Sequence, residues 1–156
     1  MTILVFSDSH GSTSGMYWAI EEHKPDQILF LGDGKDDIEE VEMVYPRLPF
    51  CIVAGNCDGW CMEPARKLIK LGGKTVLMGH GHYMWEVKRG YQSAIADAHV
   101  SKADILLFGH THVPVCQHLE DGLWMMNPGP ASLTYGLITI ENGVVDCSLH
   151  KYPDAL

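Results

Sequence analysis

Positive charge is scarce in this chain. Its 156 residues hold 11 Lys and Arg against 20 Asp and Glu, a formal net charge of −9 with neutral histidines. That balance argues against broad, sequence-independent binding to nucleic acid or to an anionic membrane. Long apolar runs are also missing: no stretch reaches the ~18–20 residues of a membrane span. Met1 leads directly into Thr2-Ile3-Leu4-Val5-Phe6, with neither a basic n-region nor a long apolar h-region. No secretory signal is therefore expected, and the cytoplasm is the expected compartment. Cysteines are few and odd in number: Cys51, Cys57, Cys61, Cys116 and Cys147. Such a set fits free thiols, and Cys57 with Cys61 lacks the second pair that a structural zinc site would need. Repeats, low-complexity tracts and linkers are absent too. Residues 1–156 accordingly read as one domain, long enough to bury a core without staples.

Short apolar runs separated by helical patterns make up the first third. Residues 2–6 read as a strand. Ser12 or Ser14 is placed to cap a helix running to about His23, with Met16, Ala19, Ile20 and His23 at near-helical spacing. Gln27-Ile28-Leu29-Phe30-Leu31 reads as a second strand. Lys35 to Val44 reads as an acidic amphipathic helix, with Ile38, Val41, Met43 and Val44 turned partly to the core, and Phe50-Cys51-Ile52-Val53-Ala54 as a third strand. This alternation predicts a largely parallel sheet with helices against it. Further on, Arg66 to Leu71 and Lys74 to Met78 predict a hairpin around Gly72-Gly73. Tyr91 to Val100 reads as a helix and Asp104 to Phe108 as a strand. Four short strands follow over Val113–Leu119, Leu123–Met126, Tyr135–Glu141 and Val144–His150, with turns at Asp121-Gly122 and Asn142-Gly143. The C-terminal third is expected to be mainly antiparallel. Two mixed sheets face to face with helices outside is the simplest packing that covers these apolar faces.

Polar islands sit at the ends of the apolar runs: Asp8-Ser9-His10-Gly11, Gly32-Asp33-Gly34, Gly55-Asn56-Cys57-Asp58, Gly79-His80-Gly81-His82 and Gly109-His110-Thr111-His112. In open α/β sheets ligands bind beyond the carboxyl ends of the strands, so these loops can converge on one crevice. Asp8 and His10, two apart after a buried strand, point to the same side if the chain stays extended. A carboxylate with an imidazole suits a borderline ion such as manganese, iron or zinc. Asp33 has two oxygens with which to bridge two ions, and its glycine neighbours permit a sharp turn. Asn56 offers a weaker amide oxygen. His110 and His112 repeat the two-residue spacing, as do His80 and His82. Taken in order, the islands read as one site for two metal ions, a recurrent device for displacement at phosphorus. Taken singly, Asp8, Asp33 and Asn56 are also compatible with helix-cap or turn residues.

The ordered set Asp-x-His, Gly-Asp, Gly-Asn-x-Asp, His and Gly-His-x-His resembles the calcineurin-like metallophosphoesterase superfamily. The small size, the Gly-Asn-Cys-Asp form and the His-Gly-His block resemble its short YfcE-like phosphodiesterase branch. The resemblance runs from residue 3 to about residue 140. It implies an α/β fold, a four-layer α/β/β/α sandwich of two mixed sheets flanked by helices. It also implies one metal held by Asp8, His10 and His112 and another by Asn56, His80 and His110, with Asp33 bridging and Asp58 supporting from behind. The implied activity is hydrolysis of a small phosphodiester by a bridging hydroxide between two divalent transition-metal ions ~3.5–4 Å apart. Manganese comes first among these ions, ahead of iron, zinc or nickel. Phosphomonoesters, nucleic acid or a non-catalytic protein-interaction role on the same fold are the alternatives; the acidic charge disfavours nucleic acid.

Two positions depart from the superfamily pattern. Many members carry His where this chain has Cys57, which removes an obvious acid for the leaving group, although the short branch commonly has Cys there. Asn127-Pro128-Gly129-Pro130 resembles an Asn-Pro-Gly-Ser segment with Pro130 replacing Ser, and so lacks that hydroxyl. Tyr83, Trp85, Trp60 and Met62 lie near the motifs and are candidates for shaping a pocket, or equally for packing. His82 is a candidate substrate contact. Trp18 and Trp124 are candidate exposed aromatics of an oligomer surface, so a homodimer stays open. The expected partner is a small phosphate ester, not a membrane.

Overall fold

Four consecutive apolar residues, Ile3, Leu4, Val5 and Phe6, are fully buried. A strand turns alternate side chains to opposite faces, so such a run suits a strand covered on both sides. In the computed structural model, which describes residues 1–154, it forms β1 (Thr2–Phe6) at the centre of a five-stranded sheet. The remaining elements are α1 (Ser14–His23), β2 (Gln27–Phe30), α2 (Lys35–Val44), β3 (Phe50–Ile52), β4 (Arg66–Leu71), β5 (Lys74–Gly79), α3 (Gln92–Val100), β6 (Ile105–Leu107), β7 (Val115–His118), β8 (Trp124–Asn127), β9 (Thr134–Glu141) and β10 (Val144–Lys151). A single 3-10 turn, Val87–Arg89, precedes α3.

The first sheet has the order β10-β9-β1-β2-β3 and the second β4-β5-β6-β8-β7. Strands β1, β2 and β3 run parallel, and β9 and β10 add on antiparallel. The period of two divides each central strand between two layers. Ile3, Val5 and Leu29 join Val76, Met78, Ile105 and Leu107 in a core between the sheets. Leu4, Phe6, Ile28 and Phe30 pack under α1 and α2. Leu77, Leu106 and Phe108 pack under α3 with Ala94 and Ala98. This is the four-layer α/β/β/α arrangement. Each buried Leu, Ile or Phe in it contributes ~1.5–3 kcal/mol relative to an exposed one. No helix among the described residues is long and apolar enough to cross a membrane.

The hairpins at Gly72-Gly73 and Asn142-Gly143 form as expected, and all four of these residues have positive φ. Other expectations need correction. Neither Ser12 nor Ser14 caps α1; the cap position is Thr13, which makes no side-chain cap hydrogen bond, and Ser14 is the first helical residue. Ile38 and Val41 face the core from α2, but Met43 and Val44 are exposed, because a ten-residue helix lying on a sheet buries only a narrow stripe. The C-terminal third is mainly antiparallel, as expected, with one parallel pairing. The β7–β8 hairpin places β8 inward, beside and parallel to β6. Trp85 is buried, and its indole N–H donates to Asp97 Oδ2 at 2.9 Å, so it is a packing residue. Trp18 packs on Tyr135 and Tyr152, Trp124 stacks on His118, and both are half-buried. Trp60, Met62 and Tyr83 are exposed.

Candidate metal centre

Strands β1, β2 and β3 are parallel in one sheet, and β5 and β6 are parallel in the other. The five polar islands therefore leave the carboxyl ends of these strands together. Backbone bonds join the loops: Asp8 N–H donates to the Gly32 carbonyl at 2.9 Å, and Gly109 N–H to the His80 carbonyl at 3.0 Å. Two groups of side chains result, Asp8 with His10 and His112, and Asp33 with His80 and His110. Within each group the potential ligand atoms lie within 4.8 Å of one another.

The backbone reaches this geometry differently from the sequence expectation. Asp8, His10, Asp33, His110 and His112 have φ values of 52°, 43°, 62°, 70° and 62°, all in the left-handed region. The chain does not continue extended past the strand ends; it curls. Residues two apart converge through that curl, at a cost on the order of 1 kcal/mol per residue. Left-handed backbone gathered at one spot is typical of functional sites. Glycine is required where the loops meet: a Cβ on Gly32 would lie 2.5 Å from the Gly55 nitrogen, and one on Gly55 would strike the Asp33 carboxylate.

The hydrogen bonds leave lone pairs facing inward. Asp8 Oδ2 accepts from the Ser7 hydroxyl at 2.5 Å and from His110 N–H at 3.0 Å. Its other oxygen, Oδ1, is buried with no hydrogen-bond partner, 3.2 Å from His112 Nε2 and 3.8 Å from His10 Nε2. His80 Nδ1 lies 2.7 Å from the Leu31 carbonyl, which can only accept, so Nδ1 carries the proton. That tautomer directs the buried, unpartnered Nε2 toward Asp33 Oδ2 at 3.3 Å. Buried acceptors turned on one another without a donor are costly, and a cation among them would relieve the cost. Carboxylate oxygens and imidazole nitrogens are a suitable donor set for a divalent transition metal.

The same groups compete for a proton. Burial lowers the basicity of His80, but Asp33 and Asp8 raise it further, and the net shift is upward. Burial pushes the Asp33 carboxyl up, yet the His80 ring and the Cys57 N–H, which donates to Asp33 Oδ1 at 2.8 Å, hold it below the usual carboxylate range. A proton or a metal ion can occupy the His80 lone pair, but not both. Burial, then His80, then Lys88 lower the basicity of His110. Burial and then His80 do the same for His82.

Asp58 ties the second and third loops together. Its Oδ1 accepts from the N–H groups of Gly34 (2.8 Å) and Lys35 (3.0 Å), and its Oδ2 from those of Asp33 (2.9 Å) and Gly55 (2.6 Å). Cys57 is exposed beside Asp33, whose charge, with some burial, pushes the thiol up. Asn56 is exposed on the same turn, its Nδ2 3.5 Å from Cys57 Sγ. His82 is half-buried, its ring 5.2 Å from that of His80 and 6.1 Å from that of His110.

Two supporting residues, Ser7 and Asp37, escaped the sequence reading, and Asn127 was read there only as part of a motif. Ser7 fixes Asp8. Asp37, read only as part of an acidic helix, accepts from the Ser9 hydroxyl at 2.6 Å and from Gly11 N–H at 2.7 Å. Asn127 is fully buried; its amide donates to the Gly109 carbonyl (3.1 Å) and Thr111 Oγ1 (2.9 Å) and accepts from Gly129 N–H (2.9 Å). It thereby holds the loop that carries His110 and His112. An Asn at the end of an apolar strand was the available signal. The following Pro130 accepts from Leu133 and Thr134 N–H through its carbonyl.

The sequence profile of the calcineurin-like phosphoesterase superfamily domain matches residues 1–148. Probable metallophosphoesterase YsnB of Bacillus subtilis (strain 168) is 30% identical over 150 residues, covering 91% of this chain and 86% of that one. Among solved structures, a predicted phosphoesterase from Streptococcus pneumoniae TIGR4 superposes with a TM-score of 0.79 at 26% identity, covering 98% of this chain and 93% of that one. Chaetomium thermophilum Vps29 shares the fold at 18% identity, with a TM-score of 0.76 and coverage of 97% and 95%. The E. coli phosphoesterase YfcE shares it at 21% identity, with a TM-score of 0.67 and coverage of 93% and 91%.

Proposed function

This chain belongs to the calcineurin-like phosphoesterase superfamily, and from that premise we propose that it is a metal-dependent phosphodiesterase acting on a small substrate. The observation that carries the reading is the pair of facing ligand groups with unpartnered, buried acceptors between them. Asp8, His10 and His112 would hold one divalent ion and His80, His110 and Asn56 the other, with Asp33 shared. Manganese is the first choice for both. Bound there, the ions would neutralise charge on the phosphoryl oxygens and acidify a water enough for it to attack phosphorus near neutral pH.

The protein's own part is positioning. Ser7 and the His110 N–H fix Asp8 through one oxygen and leave the other for the site. Leu31 sets the His80 tautomer. Asp58 holds the Asp33 and Asn56 turns at a fixed separation. The Cys57 thiol and nearby N–H groups are the available donors for a leaving oxygen. Two cavities adjoin the loops of the centre, one lined by Asp33, Asp37 and Cys57 and one by Thr111 and Val113. Space for two arms supports a diester over a monoester. The same reading takes residues 1–156 as one domain. Five unpaired cysteines support a reducing compartment, the cytoplasm.

The test is turnover of bis(p-nitrophenyl) phosphate and p-nitrophenyl phosphate by the metal-free protein supplemented in turn with Mn2+, Fe2+, Zn2+ and Ni2+. Metal-dependent hydrolysis with the diester preferred is expected. A monoester preference would overturn the diester assignment. Two bound metals with no turnover of either ester would favour the non-catalytic role.

Cys57 makes a narrower expectation. A thiol whose pKa is raised protonates a departing alkoxide poorly, whereas general-acid help is usually worth ~10²–10⁴-fold. Aryl esters should therefore outrun alkyl esters by a wide margin in the parent, and Cys57→His should shrink that ratio by about tenfold or more. An unchanged ratio in rapid-quench assays of matched aryl and alkyl diesters would remove Cys57 from the leaving-group role.

A further inference from the structure

Three cavities share residues with the loops of the metal centre, and they differ in charge. The one beside Cys57 holds Lys35 against Asp33, Asp36, Asp37 and Asp58. The one beside His112 holds Lys151 and Asp154. The third, of about 610 Å³, is lined by Lys88, Arg89, Tyr91, Thr111 and Val113, and no carboxylate is among its lining residues. In a chain of net charge −9, two adjacent cations facing one cavity are a local reversal of sign.

The turn that carries these two exposed cations packs against a loop of the centre. Val87, the first residue of the 3-10 turn, is buried, and its N–H donates to the Gly81 carbonyl at 3.0 Å, between His80 and His82. A Cβ on Gly81 would collide with the Val87 side chain, so the turn lies directly against this loop. Glu86, at φ 44°, and Gly90, at φ 134°, bend the chain sharply on both sides of the turn. Arg89 keeps one contact, to Glu86 at 3.2 Å, whereas Lys88 makes no ion pair among the described residues. Across the cavity, Thr111 sits between His110 and His112 and is locked by Asn127. Tyr91 packs on Phe108, with ring centroids 4.9 Å apart, and supplies a firm wall.

We infer that Lys88 and Arg89 form a subsite beside Thr111, in the loop that carries His110 and His112, for a second anionic group, a carboxylate or phosphate carried on one arm of the ester. This rests on the phosphoesterase reading above and narrows its substrate class. The cavity beside Cys57, rich in Asp, would repel such an arm, so the ester would bind in one orientation, with its neutral arm toward Cys57. Charge of this kind sets orientation and selectivity more than total affinity.

The test uses the full chain supplemented with Mn2+. Dissociation constants are measured by calorimetry for alkyl phosphonates and for ω-carboxyalkyl phosphonates of two to six methylenes. The parent should bind at least one carboxylated member about tenfold more tightly than its plain counterpart, with the advantage shrinking as salt rises. The Lys88→Ala/Arg89→Ala double variant should lose that advantage, and Lys88→Glu/Arg89→Glu should instead favour ω-aminoalkyl phosphonates. Equal constants for both series in the parent, or an advantage that survives the double Ala change, would overturn the subsite. Diester turnover in the same preparations separates the two readings: discrimination without turnover would keep the subsite and sink the diesterase, and turnover without discrimination the reverse.

Discussion

Asp33→Ala is expected to lower metal-dependent turnover by about a thousandfold or more while the protein stays folded. Asp33 is the one proposed ligand assigned to both ions, and Asp33 Oδ2 lies 3.3 Å from His80 Nε2 and 3.9 Å from His10 Nε2, one from each group. Its other oxygen accepts the Cys57 N–H, which fixes the carboxylate in place. Removing it takes a ligand from each proposed ion at once, whereas losing one terminal histidine would leave the other ion its full set. Folding should survive, because the apolar cores beneath the loops do not use this side chain. Elemental analysis should show the loss as bound metal, and circular dichroism should show an unchanged fold. Parental turnover by a folded Asp33→Ala variant would mean that the proposed centre is wrong.

Asp58→Ala should be the most damaging change at a residue that touches neither metal nor substrate. Four backbone N–H groups from two loops lose their common charged acceptor. Charge-assisted hydrogen bonds are worth more than neutral ones, but Asp58 is only half-buried and water can replace part of the loss. A net cost of about 2–4 kcal/mol is expected, or a fall in Tm of roughly 5–15 °C for a chain of this size. Turnover should drop ~10–100-fold, the usual range for a residue that orients ligands from behind. Asp58→Asn should rescue little, since its NH2 would face N–H donors. Calorimetric melting and steady-state kinetics on the two variants decide this; a Tm within a degree of the parent would show that the loops hold without Asp58.

How far the sequence could be read depended on the range of the interactions. Strands such as Ile3–Phe6 are legible because their burial is written in consecutive residues. The islands are legible because each sits where an apolar run stops, and parallel strand order then forces them together. The left-handed backbone of Asp8 and His112 was not legible, since nothing local demands it; the curl persists because loops from two sheets lock it. The supporting roles of Asn127 and Asp37 were missed for a related reason, as their partners at Gly109 and Ser9 are distant in sequence. Met43 and Val44 were placed inward because composition cannot say where a short helix runs off its sheet. Trp85 was left open between pocket and packing, because nothing near it in sequence announces its bond to Asp97.

The proposed ligands are divided between the sheets. Asp8, His10, Asp33 and Asn56 come from the first, and His80, His110 and His112 from the second. A cation bound among them would act as a clasp across the seam of the sandwich, in addition to the apolar contacts inside it. Asp8 and His110, already joined by a hydrogen bond, are 102 residues apart, so the clasp can close only after both sheets have formed and docked. Once closed, it must open before the sheets can part. Each tenfold excess of metal over its dissociation constant then adds ~1.4 kcal/mol to stability. The metal supply would thus set the lifetime of the folded chain as well as its chemistry.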